Sequence, residues 1–230
     1  SAIFTKDFFT HMYEEKIFVP RLLLVLFAVI LMGFCLSWLV LCDMGTDPCT
    51  MMNLAISDKL GMPIGDWQAL MNIVLLIFVI IFGGRNLGFG TLANMFLVGY
   101  SLQFFSWLWG IVLPASVVTD GFLLHDSVAS VVLFPSLICF IFAAALYMDV
   151  DLGTAPYDAV PYIIWNALKK EKLLLFHFAF VRMGFDIFVV IIALIFGGKL
   201  GVVTVLMAFV LGPVIEFVGT MLQKVIEIDE

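Results

Sequence analysis

Long runs without a single charged residue alternate with short polar interruptions along this chain. Residues 22–42, 67–84, 86–119 and 127–148 contain no Asp, Glu, Lys or Arg. A transmembrane helix needs about 20 predominantly apolar residues, so the first, second and fourth runs each predict one span. The run 86–119 is too long for one span and too short for two with a turn. It predicts a helix over 90–112 followed by an apolar loop containing Pro114. Residues 173–196 and 201–222 predict two further spans, each interrupted by charge. The pattern therefore predicts an all-α, polytopic membrane protein with six transmembrane helices.

The same pattern repeats. Asp43-Met-Gly-Thr-Asp-Pro48 returns as Asp151-Leu-Gly-Thr-Ala-Pro156, and Phe82-Gly-Gly-Arg-Asn-Leu-Gly88 returns as Phe196-Gly-Gly-Lys-Leu-Gly201. Thr91 and Thr204 follow in register, and Gly99 matches Gly212. Landmarks in one order at a near-constant offset are the mark of an internal duplication. The chain divides into an interfacial N-terminal segment (1–16), a first membrane repeat (17–113) and a second (125–223).

Each repeat carries a short segment after its Asp-x-Gly-Thr-x-Pro turn, at about 48–60 and 156–169. Proline suits the first turn of a helix, where its missing N–H costs nothing. Thr46 or Asp47, and Thr154, are residues that cap such starts. These helices are short for a crossing and carry charge at their far ends, so they predict re-entrant or interfacial elements. Three spans per repeat make the halves inverted in the membrane, as in many secondary transporters. If the short helices cross, there are eight spans and parallel repeats. Segment length favours inversion.

Composition agrees with a membrane protein: 63% of residues are hydrophobic and 13% charged, against about a quarter charged in soluble domains. The net charge of −7 matters less than where Lys and Arg fall. With six spans and a cytoplasmic N-terminus, eight basic residues face inward and only Lys59 and Lys199 face outward. Both termini are thus expected in the cytoplasm. An eight-span layout gives the same balance, so charge does not choose between them. The N-terminal segment is mixed in charge and does not read as a signal peptide. Cys35, Cys42, Cys49 and Cys139 show no metal-ligand spacing and read as packing thiols.

The run Gly45-Thr-Asp-Pro48, then Gly61-Met-Pro-Ile-Gly65-Asp-Trp67, then Leu87-Gly-Phe-Gly-Thr91 with Asn94, resembles the YczE/YyaS/YitT family of bacterial integral membrane proteins. The second half keeps Gly153-Thr-Ala-Pro156-Tyr-Asp158 and its Gly-Gly turn. It has Phe176-His-Phe where the first half has Gly-Asp-Trp. The resemblance covers nearly the whole chain. It implies a small inner-membrane protein of two repeats and no well-established activity.

Ionisable groups at membrane depth are costly unless paired, and each is a functional candidate. Arg182 lies about nine residues into the fifth predicted span, and Asp186 is one turn further on the same face. Aligning the repeats on their Gly-Gly turns sets Arg182 opposite Gln68 and Asp186 opposite Asn72. Glu216 falls opposite Gln103. Either Arg182 and Asp186 neutralise one another for packing, or they face a water-filled cavity, where Arg182 would hold an anionic group. Glu216 either snorkels toward the interface or lines the same cavity. Asp47 and Asp158 flank the short helices. They either cap them or, with Thr46 and Thr154, mark two half-helix N-termini that meet at a central site for an anion. Trp67, Trp107, Trp109 and Trp165 read as interfacial anchors and His177 as a packing residue.

The sequence carries no Walker loop, zinc-protease helix, nucleophile elbow or dinucleotide fingerprint. It predicts no enzyme activity, cofactor, metal or nucleic-acid partner. The leading expectation is a small secondary transporter or exporter of a small polar solute, an anion among the candidates, bound at the repeat interface. It would act alone, as a homodimer or with a partner subunit. The competing expectation is a non-transporting accessory, scaffold or substrate-binding membrane subunit.

Overall fold

The computed structural model describes residues 18–82, 87–113, 127–150, 152–170 and 178–209. Of residues 127–131, 149, 169 and 170 it describes the backbone. Its elements are α1 (Phe18–Leu41), α2 (Pro48–Leu60), α3 (Ile64–Phe82), α4 (Phe89–Val112), α5 (Ser127–Asp149), α6 (Pro156–Lys170) and α7 (Phe178–Ile195). An eighth helix, α8, is described over 202–209. The described residues form helices and turns and no strand.

Four helices, α1, α3, α4 and α7, are long and apolar enough to cross a membrane, and α5 contains the apolar stretch Val132–Met148. The outer faces of α3 and α7 leave Val74, Ile77, Ile81, Ile187, Phe188, Ile191 and Ile195 exposed. Apolar belts of this kind are stable against lipid rather than water. The sixth predicted span starts at α8, and its course past 209 lies outside the described residues, as does the N-terminal segment 1–16.

α1 runs at the centre of the main core, between α4 and α5. It lies alongside α4 in the same direction. The Phe18 and Phe89 rings meet at the starts of the two helices, 5.7 Å apart, and Trp38 meets Trp109 near their ends, 4.5 Å apart. The end of α5 reaches the start of α4, where the Gly90 N–H donates to the Leu152 carbonyl at 2.7 Å. α5 therefore ends where α1 begins, and these two helices run antiparallel, with Cys35 and Cys139 facing one another between them.

The turns after α1 and α5 are built alike and each grips the helix start of the other half. The Val203 N–H donates to the Met44 carbonyl at 3.0 Å, and the Thr46 N–H donates to Thr204 Oγ1 at 3.2 Å. In the second turn the Gly90–Leu152 bond takes the same place, and Thr91 Oγ1 donates to the Thr154 carbonyl at 2.9 Å. Gly45 and Gly153 sit at φ +100° and +117°, conformations that L side chains rarely adopt. A Cβ at Gly45 would also run into Thr204 Oγ1 and Gly201, and one at Gly153 into Thr91 Oγ1 and Gly88. The short helices are exchanged in the same way. α2 packs on α7, while α6 packs on α3.

α2 packs close to the segment that meets the end of α1. Lys199 Nζ lies 3.6 Å from Asp43 Oδ2 at the end of α1, and neighbouring Gly198 sits against Ala55 in the second half of α2. Asp43 at the end of α1 and Ala55 within α2 thus both lie beside the 198–199 turn.

Candidate functional site

Pro48 opens α2 and Pro156 opens α6. Asp47 is the N-cap of α2, its Oδ1 accepting from the Thr50 N–H at 3.0 Å. In the second half the cap position falls to Ala155, which has no polar side chain, and Asp158 supplies a carboxylate in the first turn instead. Both arrangements place negative charge at a helix start, where the unpaired N–H groups and the dipole favour it. Thr154 contributes its carbonyl, to Thr91, and Thr46 its N–H, to Thr204. Neither threonine caps a helix through its hydroxyl.

These two helix starts converge on α7. Arg182 Nη1 lies 2.8 Å from Asp158 Oδ1, and Arg182 Nε lies 3.2 Å from Asp186 Oδ2. The Tyr157 hydroxyl donates to the other Asp186 oxygen at 2.7 Å, and the Tyr157 ring lies under the guanidinium, 5.5 Å from its carbon. The Asp186 side chain is 4% exposed, while Arg182 and Asp158 keep 16% and 22%. One edge of the cluster is therefore open. Asp47 is within electrostatic reach of Asp158 and Asp186, and Cys49 of all three aspartates and Arg182. Pro161, inside α6, has no N–H to return to the Tyr157 carbonyl, which frees an acceptor beside the cluster. Asp158 and Asp186 pair with one guanidinium and Asp47 adds a third carboxylate within their reach, so acidic groups outnumber the cation among the described residues of the centre.

Two buried side-chain oxygens among the described residues have no hydrogen-bond partner, Asp47 Oδ2 and Gln68 Oε1. Asp47 lies in the cluster. Gln68 packs against Gly99 of α4. Asn72 Nδ2 donates to the Met95 carbonyl at 3.2 Å, and Gln103 Oε1 accepts from the Gly65 N–H at 2.9 Å at the start of α3. These three amides tie α3 to α4 and make their contacts away from Arg182, so the aligned positions of the two halves serve different seams. Glu216 and His177 lie outside the described residues.

Tyr157 and Cys49 belong to the cluster although neither stands out in the sequence as more than a packing residue. Cys49 also accepts from Asn53 Nδ2 at 3.4 Å, and Asn53 in turn accepts from Trp67 Nε1 at 3.1 Å. Trp109 Nε1 donates to Ser37 Oγ at 2.8 Å inside an aromatic group with Phe34, Trp38 and Phe105. Trp67 and Trp109 therefore join helices together, whereas Trp107 is exposed. No group of three His, Cys, Asp or Glu suited to a metal ion occurs among the described residues.

A family model described as a family of unknown function, DUF6198, matches residues 19–220. The chain is 23% identical over 179 residues to the uncharacterized membrane protein YczE of Bacillus subtilis (strain 168), covering 76% of this chain and 73% of that one. It is 23% identical over 179 residues to the uncharacterized protein YyaS of the same organism, covering 77% and 82%. No solved structure gives a significant match.

Proposed function

This chain belongs to the DUF6198 family of membrane proteins, and from that premise we propose that it is a small secondary transporter with one central polar site. The carrying observation is the meeting of two short-helix starts, Asp47-Pro48 and Pro156-Tyr157-Asp158, at the Arg182–Asp186 pair. Broken helices whose ends meet at mid-membrane between two related halves are the construction of alternating-access carriers. A buried ion cluster that served packing alone would close its charge balance, because an uncompensated buried charge is costly. This one leaves a carboxylate oxygen without a partner and keeps an open edge.

The frame we propose is six spans in two inverted repeats. The antiparallel course of α1 and α5, the mutual exchange of α2 and α6, and the approach of α2 to the 198–199 turn support it. α2 and α6 are then re-entrant from opposite faces. The distribution of Lys and Arg supports cytoplasmic termini in a bacterial inner membrane.

The solute is small and polar. Arg182 already bonds two carboxylates, and Asp47 adds a third. The preformed site therefore favours a molecule that brings a cationic or donor group over an anion, which would have to displace Asp158 or Asp186. An accessory subunit is the competing reading, favoured by the pairing of Arg182 Nη1 and Nε with carboxylates of the chain itself.

Flux of a panel of small radiolabelled metabolites into liposomes that contain only this chain tests the proposal. Specific uptake lost in Arg182→Gln and kept in Asp66→Asn, on the exposed start of α3, supports it. A correctly folded chain that moves no member of the panel would favour the accessory reading.

A further inference from the structure

We propose that Asp47 is a proton-binding site, its carboxyl holding an exchangeable proton on Oδ2 while Oδ1 caps α2. The proposal rests on the site reading above and names the ion that the site exchanges.

The two oxygens of Asp47 are in different situations. Oδ1 accepts from the Thr50 N–H at 3.0 Å. Oδ2 is buried and has no partner, in a residue only 7% exposed. A carboxylate oxygen at membrane depth must be matched by a donor or a cation, because no water surrounds it to make up the loss. The cation that the described residues bring to the cluster is already used, since Arg182 is bonded to Asp158 and Asp186. The other described groups facing Asp47 offer no positive charge. They are Cys49 and Thr50 on its own helix, Asp158 on α6 and Asp186 on α7.

A proton on Oδ2 removes one of the two surplus negative charges and leaves the Thr50 bond in place, because a neutral carboxyl keeps an acceptor oxygen. Binding and release follow a balanced step: the carboxylate takes H⁺ on Oδ2 to form the O–H, and loss of that H⁺ restores the carboxylate. With the proton gone, the centre regains its second negative charge and becomes a seat for a cationic group of a solute. Proton and cation thus compete for one place, the arrangement that an exchanger needs.

Asparagine caps helices as well as aspartate does, so Asp47→Asn keeps α2 and removes only the titrating group. Infrared spectra of the purified chain in lipid nanodiscs test the proposal without requiring flux. At neutral pH the wild type is expected to show the carbonyl stretch of a buried protonated carboxyl that disappears reversibly at alkaline pH. Asp47→Asn and Asp47→Ser should both lose the band while eluting as folded protein, and Asp158→Asn should keep it. A wild type without the band, or a band that survives in Asp47→Asn, would overturn the proposal. A transport-inactive chain that still shows the Asp47 band would sink the transport reading alone.

Discussion

Arg182 holds together two carboxylates from two helices, Asp158 at 2.8 Å and Asp186 at 3.2 Å. Arg182→Gln removes the charge and strands both. Breaking a buried pair on one side costs about 3–5 kcal/mol, so this variant should lose its folded elution peak at a clearly lower temperature than wild type. Adding Asp158→Asn and Asp186→Asn in the same chain should restore much of that loss, since no uncompensated charge then remains at the three positions. A triple variant no more stable than Arg182→Gln would refute the electrostatic account. At Asp47 the outcome depends on the replacement. Asp47→Ala forfeits the Thr50 bond and about 1 kcal/mol of capping, whereas Asp47→Asn should melt close to wild type. Arg182 and Asp186 are legible in the sequence because opposite charges one helical turn apart inside an apolar run must either pair or serve a polar site. Asp158 is legible as a helix-start residue but not as the partner of Arg182. Tyr157 and Cys49 are not legible as members of the cluster, because the Arg182–Asp186 pair that they approach lies on another element. The spacing of seven aligns Cys35 and Cys42 along α1 and its end, but it does not extend to Cys49, because α1 stops at Leu41 and the turn 42–47 breaks the helical phase.

The two Gly-Thr turns bind the halves to one another in the same manner. Each combines a glycine at positive φ, a backbone bond to the opposite helix start and a threonine hydroxyl from that helix. Gly45→Ala forces an L residue into that conformation, which alone costs about 1–3 kcal/mol, and drives its Cβ into Thr204 and Gly201. Gly153→Ala meets Thr91 and Gly88 in the same manner. Both should therefore reduce thermal stability by at least that amount, and Gly61→Ala should cost less. Gly61 also sits at positive φ but has open space around it. Equal losses at all three positions would show that conformation, and not the contact between turns, sets the cost. The repeated motif announces these turns in the sequence. The exchange of helix starts between halves is not announced, because a repeat fixes which parts correspond and says nothing of which parts touch. The same gap explains Gln68 and Asn72. They match Arg182 and Asp186 by alignment, yet their amides face α4 while the charged pair faces α6.

Whether α2 crosses decides how the whole molecule sits in the bilayer, and charge counting scores six and eight spans alike. The two layouts differ in where single residues emerge. With re-entrant short helices and a cytoplasmic N-terminus, Lys59 and Lys199 lie outside and Arg85 inside. With crossing short helices, Lys199 stays outside while Lys59 and Arg85 change places. The structure brings Ala55 against Gly198, which supports placing Lys59, one turn beyond Ala55, and Lys199, next to Gly198, on one face. In a chain whose four cysteines are replaced by serine, Lys59→Cys and Lys199→Cys should both react with a membrane-impermeant maleimide added to intact cells. Arg85→Cys should react only after the membrane is opened. Labelling of Arg85→Cys from outside, with Lys59→Cys protected, would establish eight spans. Asp47 and Asp158 would then enter the membrane from the same face, and the meeting of oppositely directed half-helices on which the transport proposal stands would be lost.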